Sequence, residues 1–69
     1  RVKHRLRMDV LNTLVRLNLP QEIEMSNTPQ ELIVIREKIR TEIRYAGMEN
    51  DPLLLHLIRQ RFGITLMNI

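Results

Sequence analysis

Thr28-Pro29-Gln30-Glu31-Leu32-Ile33-Val34-Ile35-Arg36-Glu37-Lys38-Ile39-Arg40-Thr41-Glu42-Ile43-Arg44-Tyr45-Ala46-Gly47 carries its own start, stop and inward face. Thr28 can accept from the backbone of a first helical turn, Pro29 suits a first helical position because its missing N–H is not needed there, and Glu31 can reach back to the cap. Together these make a capping box. Gly47 supplies the left-handed residue that ends a helix. At about 100° per residue, Leu32, Ile35, Ile39, Ile43 and Ala46 fall within an arc of roughly 80° and form the expected core face. Arg36, Arg40 and Arg44 recur every four residues as a ladder along one flank, while Ile33, Val34 and Tyr45 lie outside the core arc. Such a ladder is either a solvated face or a track for phosphates or an acidic helix. Ile33 and Val34, exposed together, are expected to meet another surface.

Toward the carboxyl end, Asp51-Pro52 repeats the logic of Thr28-Pro29, a polar cap followed by proline. The helix it opens runs from Leu53 to Phe62 and is closed by Gly63. Its apolar residues cover roughly 200° of the wheel, more than one core face requires. This helix is therefore expected to face both its own core and something else. Ile64 to Ile69 form an apolar tail that either folds back over Leu55 and Phe62 or joins another chain. The candidate partner-binding residues are Ile33, Val34, Leu54, Leu55, Ile58, Phe62, Ile64 and Leu66. Leu54-Leu55-His56-Leu57-Ile58 also approximates an L-x-x-L-L docking helix with Ile in the last place, and His56 reads as a surface residue.

Toward the amino end, Pro20 to Asn27 is a connection containing Ile23 and Met25, with one turn of helix at Gln21 to Glu24; Glu22 and Glu24 are a solvated acidic pair. Before it, Leu6, Val10, Leu14 and Leu17 fall on one helical stripe, widened by Leu11 and Val15. That helix is expected to stop by Pro20, whose ring pushes Leu19 from helical geometry. Leu11, Leu14, Leu17 and Leu19 also match the leucine-rich export pattern L-x-x-L-x-x-L-x-L, a match that a core helix satisfies as readily. Arg1, Lys3, Arg5 and Arg7, beside His4, form the densest basic run. With Arg36, Arg40 and Arg44 they are the candidate contacts to nucleic acid or to an acidic partner. Cations at an amino end oppose the helix dipole, so order is expected to begin near Asp9 or upstream of Arg1.

The chain has 69 residues, a length at which a single core is only marginally sufficient. There is no Cys, and the two His stand far apart, so neither a disulfide nor a structural zinc is expected to help. A partner chain is the remaining common solution. The sequence begins at Arg1, which suggests an excised domain, divided as a basic arm or truncated helix start at 1–8, a helical domain at 9–63 and the tail at 64–69. The apolar runs are far shorter than the roughly 20 residues of a membrane span, so no membrane partner is expected. A net charge of +3 and a pI near 10.2 favour acidic partners. No constellation of nucleophile, base, metal ligands or phosphate loop is visible, and an enzyme, a cofactor and a small-molecule substrate are all unexpected. With only Tyr45 and Phe62 aromatic, a stacking platform for single strands is absent.

Asp51-Pro52-Leu53-Leu54-Leu55-His56-Leu57-Ile58-Arg59-Gln60-Arg61 resembles the third helix of the nuclear coactivator binding domain of transcriptional coactivators. The resemblance stops there: the second helix differs in composition and the family's glutamine-rich stretch is missing. It implies a three-helix module that folds with disordered activation partners. The resulting expectation is an all-α three-helix bundle, with helices at about 6–18, 29–46 and 52–62, completed by oligomerisation or by a partner. Its expected function is a small protein–protein interaction module, self-associating or partner-docking, in a larger intracellular regulatory protein of nuclear or nucleocytoplasmic location. The alternative is a nucleic-acid-binding helical domain using the basic arm and the arginine ladder.

Overall fold

A computed structural model describes residues 2–66. The described residues form an all-helical bundle of four helices, α1 (Val2–Arg16), α2 (Leu19–Met25), α3 (Pro29–Tyr45) and α4 (Pro52–Phe62). The single turn expected after Pro20 is a helix of its own, and α1, α2 and α3 pack against one another. The break between α1 and α2 falls at Asn18 and not at Leu19. Asn18 takes a left-handed conformation (φ 61°, ψ 25°), which Asn tolerates better than most residues, and its carbonyl accepts the first α2 bond from the Glu22 N–H at 3.1 Å. Pro20 then sits in the first turn of α2, where its missing N–H costs nothing.

The boundaries of α3 follow from its ends. Thr28 Oγ1 accepts from the Glu31 N–H at 3.2 Å, while Glu31 Oε2 accepts from the Asn27 N–H at 2.7 Å. The returning carboxylate thus serves the residue before the cap, one position earlier than in a capping box. At the other end the N–H of Gly47 (φ 69°) donates to Arg44 O and that of Met48 to Ile43 O, both at 2.9 Å. This is a Schellman motif, completed by burial of Met48 beside Ile43.

Val10, Leu11, Leu14, Leu19, Ile35, Ile39, Ile43, Met48, Leu54, Ile58, Ile64 and Leu66 make up one aliphatic core. Among the described residues no polar or charged side chain is buried. The stripe expected on α1 is shifted: Leu17 and Val15 are about half exposed, because the chain has already turned at Asn18 and Leu19 takes the inward place. Leu32 of α3 and Ala46 just after it pack only on the edge of the core.

α1 is already helical at Val2, the first described residue, so order does not wait for Asp9. Arg7 holds it to the α3–α4 turn: Nε donates to Asp51 Oδ2 at 2.6 Å and Nη2 to Oδ1 at 3.2 Å. This two-pronged bond, reinforced by attraction to Arg7 and Lys3 and opposed by partial burial, holds the Asp51 carboxyl below its ordinary value and raises the Arg7 guanidinium. Asp51 stands at the N-cap of α4 in extended backbone with Pro52 in the first turn, as the sequence expects, while its carboxylate is committed chiefly to Arg7.

Candidate functional site

α2 and α3 form a helical hairpin joined by Ser26 to Thr28. Because the connection is short the two helices run antiparallel, and Lys38 Nζ reaches back to both oxygens of Glu22 at 3.3 Å. Between them lies an open groove of about 430 Å³ lined by Asn18, Gln21, Glu22, Met25, Glu31, Val34, Ile35 and Lys38. Each wall shows the same spacing, positions 18, 21, 22 and 25 on one side and 31, 34, 35 and 38 on the other. That is one helical face per wall, roughly 10 Å long at 1.5 Å per residue.

Ile35, 4% exposed, is the floor, and Val34 at 55% and Met25 at 74% stand open on the two walls. Ile33, 56% exposed, does not line the groove; at about 100° per residue it stands on the flank of α3 that carries Arg36, Arg40 and Arg44. The polar groups sit at the rim. Past the Lys38–Glu22 bridge a second hollow of about 320 Å³ is lined by Leu17, Leu19, Lys38, Thr41 and Glu42. The bridge thus separates two hollows along the same hairpin. Both its side chains are about half exposed, so it closes neither.

The other partner-face candidates fare differently. Leu54, Ile58, Ile64 and Leu66 are core residues, and Leu55 and Phe62 are half-buried against them. The first four are buried, which keeps them from the surface of the folded bundle. The wide apolar arc of α4 is used mostly within the chain, with Leu53 the residue left about half exposed. Of the tail, Ile64 and Leu66 fold back onto the core, while residues 67–69 lie outside the described residues. The export pattern meets the same obstacle. Leu11, Leu14 and Leu19 are at most 1% exposed, and Leu17 alone of the four is accessible.

The basic candidates are also dispersed. Arg7 is committed to Asp51, and Arg36 Nε donates to the Thr65 carbonyl at 3.2 Å, tying α3 to the returning tail. Arg40 Nη1 donates to Glu37 Oε1 at 2.8 Å and its side chain is only 18% exposed. Arg44, Lys3 and Arg5 are exposed, and Arg1 lies outside the described residues. Spacing alone put Arg36, Arg40 and Arg44 in a row, but the tail and Glu37 give its rungs different tasks.

Met25 is the groove residue that sequence reasoning noted as apolar without assigning. Its signal was the 18, 21, 22, 25 spacing across Pro20, legible only once the break is placed at Asn18. Among the described residues no three His, Asp or Glu side chains gather as a metal site would require, and no helix is long and apolar enough to cross a membrane. No protein-family model, characterised protein or solved structure matches the chain.

Proposed function

We propose that this chain is a small helical protein–protein interaction module of a regulatory protein, and that the α2/α3 hairpin presents its docking surface. The observation that carries this reading is the pair of matched helical faces enclosing an apolar-floored groove with Met25 and Val34 open to solvent. A groove between two antiparallel helices accepts the apolar face of a third by the same ridge-and-groove packing that builds the bundle. Anchors three and four residues apart on an incoming helix would fit walls with that spacing. No catalytic role belongs to this proposal. A nuclear or nucleocytoplasmic setting is part of it, on the strength of the exposed Lys3, His4 and Arg5.

The nucleic-acid reading is weaker, because Arg7, Arg36 and Arg40 already hold intramolecular acceptors. Selection of displayed helical peptides on the chain, and on the Met25→Asn/Val34→Asn double variant, tests the docking reading. Ligands with apolar anchors at helical spacing should enrich on the natural chain and not on the variant. Equal enrichment on both, or none on either, would overturn it.

A further inference from the structure

We infer that the α2/α3 groove selects a cationic amphipathic helix, an inference that rests on the docking reading above and adds the chemistry of the partner. The chain as a whole is basic, with a net charge of +3, yet residues 20–34 contain Glu22, Glu24 and Glu31 and no Lys or Arg. The open apolar residues of the groove, Met25 and Val34, lie within this acidic stretch. Of the charged side chains lining the groove, Lys38 is bound to Glu22 through both carboxylate oxygens, which leaves Glu31 as the uncompensated charge. Glu31 accepts from the Asn27 N–H, and this bond fixes the carboxylate at the groove end without neutralising it.

At physiological salt an exposed charge is felt over roughly 8 Å, so the part of an occupant seated in the groove senses Glu31 most directly. Lys or Arg flanking an apolar face would complement that rim, and Asp or Glu would be repelled by it. A second copy docking the same patch about a two-fold axis would bring two uncompensated Glu31 carboxylates into one interface. Charge therefore favours a different chain over self-pairing at this surface.

The test uses two designed peptides of about 18 residues, long enough to sustain helix. One has Leu at helical 0, 3, 4, 7 spacing flanked by Lys, with Ala and Gln elsewhere; its twin has Glu in place of every Lys. Each is titrated into the full chain and followed by heteronuclear NMR. The Lys peptide should bind at least about tenfold tighter than its twin despite the basic net charge of the chain, and the gap should narrow at high salt. Shifts should centre on Met25, Val34 and Lys38. Met25→Asn/Val34→Asn should abolish binding with helicity retained, since both side chains are exposed. Glu24→Gln/Glu31→Gln should weaken only the Lys peptide, by several-fold, because Gln preserves the bond at the head of α3. Equal or tighter binding of the Glu twin in the groove overturns the inference and leaves the docking reading standing. Binding of the Lys peptide that survives Met25→Asn/Val34→Asn overturns it as well. Failure of both peptides to bind at about 1 mM also overturns it, and the display selection then decides the docking reading independently.

Discussion

Ile39 and Ile33 are the same residue type six positions apart on one helix, and the fold gives them opposite fates. Ile39 is 0% exposed in the centre of the core, whereas Ile33 is 56% exposed. Ile39→Ala removes three buried carbons, a transfer loss of about 2.4 kcal/mol at roughly 0.8 kcal/mol each. The cavity left behind adds to this, and alanine's better helix preference returns about 0.5 kcal/mol. The expected cost is about 3 kcal/mol, against a total stability on the order of 3–10 kcal/mol for a chain of this length. For Ile33→Ala less than half of the transfer loss applies, and the helix preference offsets part of that, so the net change should stay within about 0.5 kcal/mol. Urea unfolding followed by far-UV circular dichroism measures both as midpoint shifts at constant slope. If Ile39→Ala leaves no folded baseline, Ile39→Val, at about 1 kcal/mol, restores the scale. Equal costs for the two alanine variants would refute the placement of Ile33 at the surface. A cost for Ile33→Ala that rises between about 5 µM and about 200 µM protein would instead place Ile33 in a self-association seam, because association stabilises by mass action.

Asp51→Asn should remove an acid-sensitive part of the stability. Because the folded Asp51 carboxyl is held below its ordinary value of 3.8 by Arg7 and Lys3, its contribution is fully present above that value and is lost as pH falls through the depressed one. The gap between natural chain and variant, read by urea midpoints across acid pH, should close on descent; a constant gap would contradict the clasp. Gly47→Ala should cost about 1 kcal/mol in thermal unfolding although nothing lies within 4 Å of the added methyl, because φ is 69°. No loss there would refute the Schellman ending. Thr28→Ala should cost about 1 kcal/mol through the lost cap, and thermal unfolding unchanged by it would mean that the Thr28 hydroxyl does not hold the start of α3.

The helix ends at 28–29, 47 and 63 were legible in the sequence because each rests on local backbone chemistry that Thr, Pro and Gly announce by themselves. Asn18 was not. Its turn competes with a continuous apolar pattern from Leu11 to Leu19, and nothing local distinguishes an Asn at a helix surface from one that reverses the chain. Misplacing that break by one residue sent Leu17 inward, kept α2 a connection, and hid the wall carried by Met25. Asp51 is a partial case: its type and its Pro neighbour announced the start of α4, but nothing local announced the bond of its carboxylate to a guanidinium 44 residues away.

The candidate docking residues divide along a related line. A leucine at helical spacing carries the same signal whether it faces its own core or another chain, so α4 and the export pattern pointed outward in sequence while Leu11, Leu14, Leu54 and Ile58 point inward in the bundle. The exposure of Ile33 and Val34 was legible because they broke the stripe of their own helix, and a violation of local pattern is informative where agreement is not. Charge behaves likewise. The net of +3 is a sum over the whole surface and suggested an acidic partner, yet what an incoming helix would meet at Met25 and Val34 is set by side chains within about a Debye length, where Lys38 is taken up by Glu22 and Glu31 carries the remaining charge of the lining. The sign of a partner is thus better read from the stretch that forms the groove than from the total.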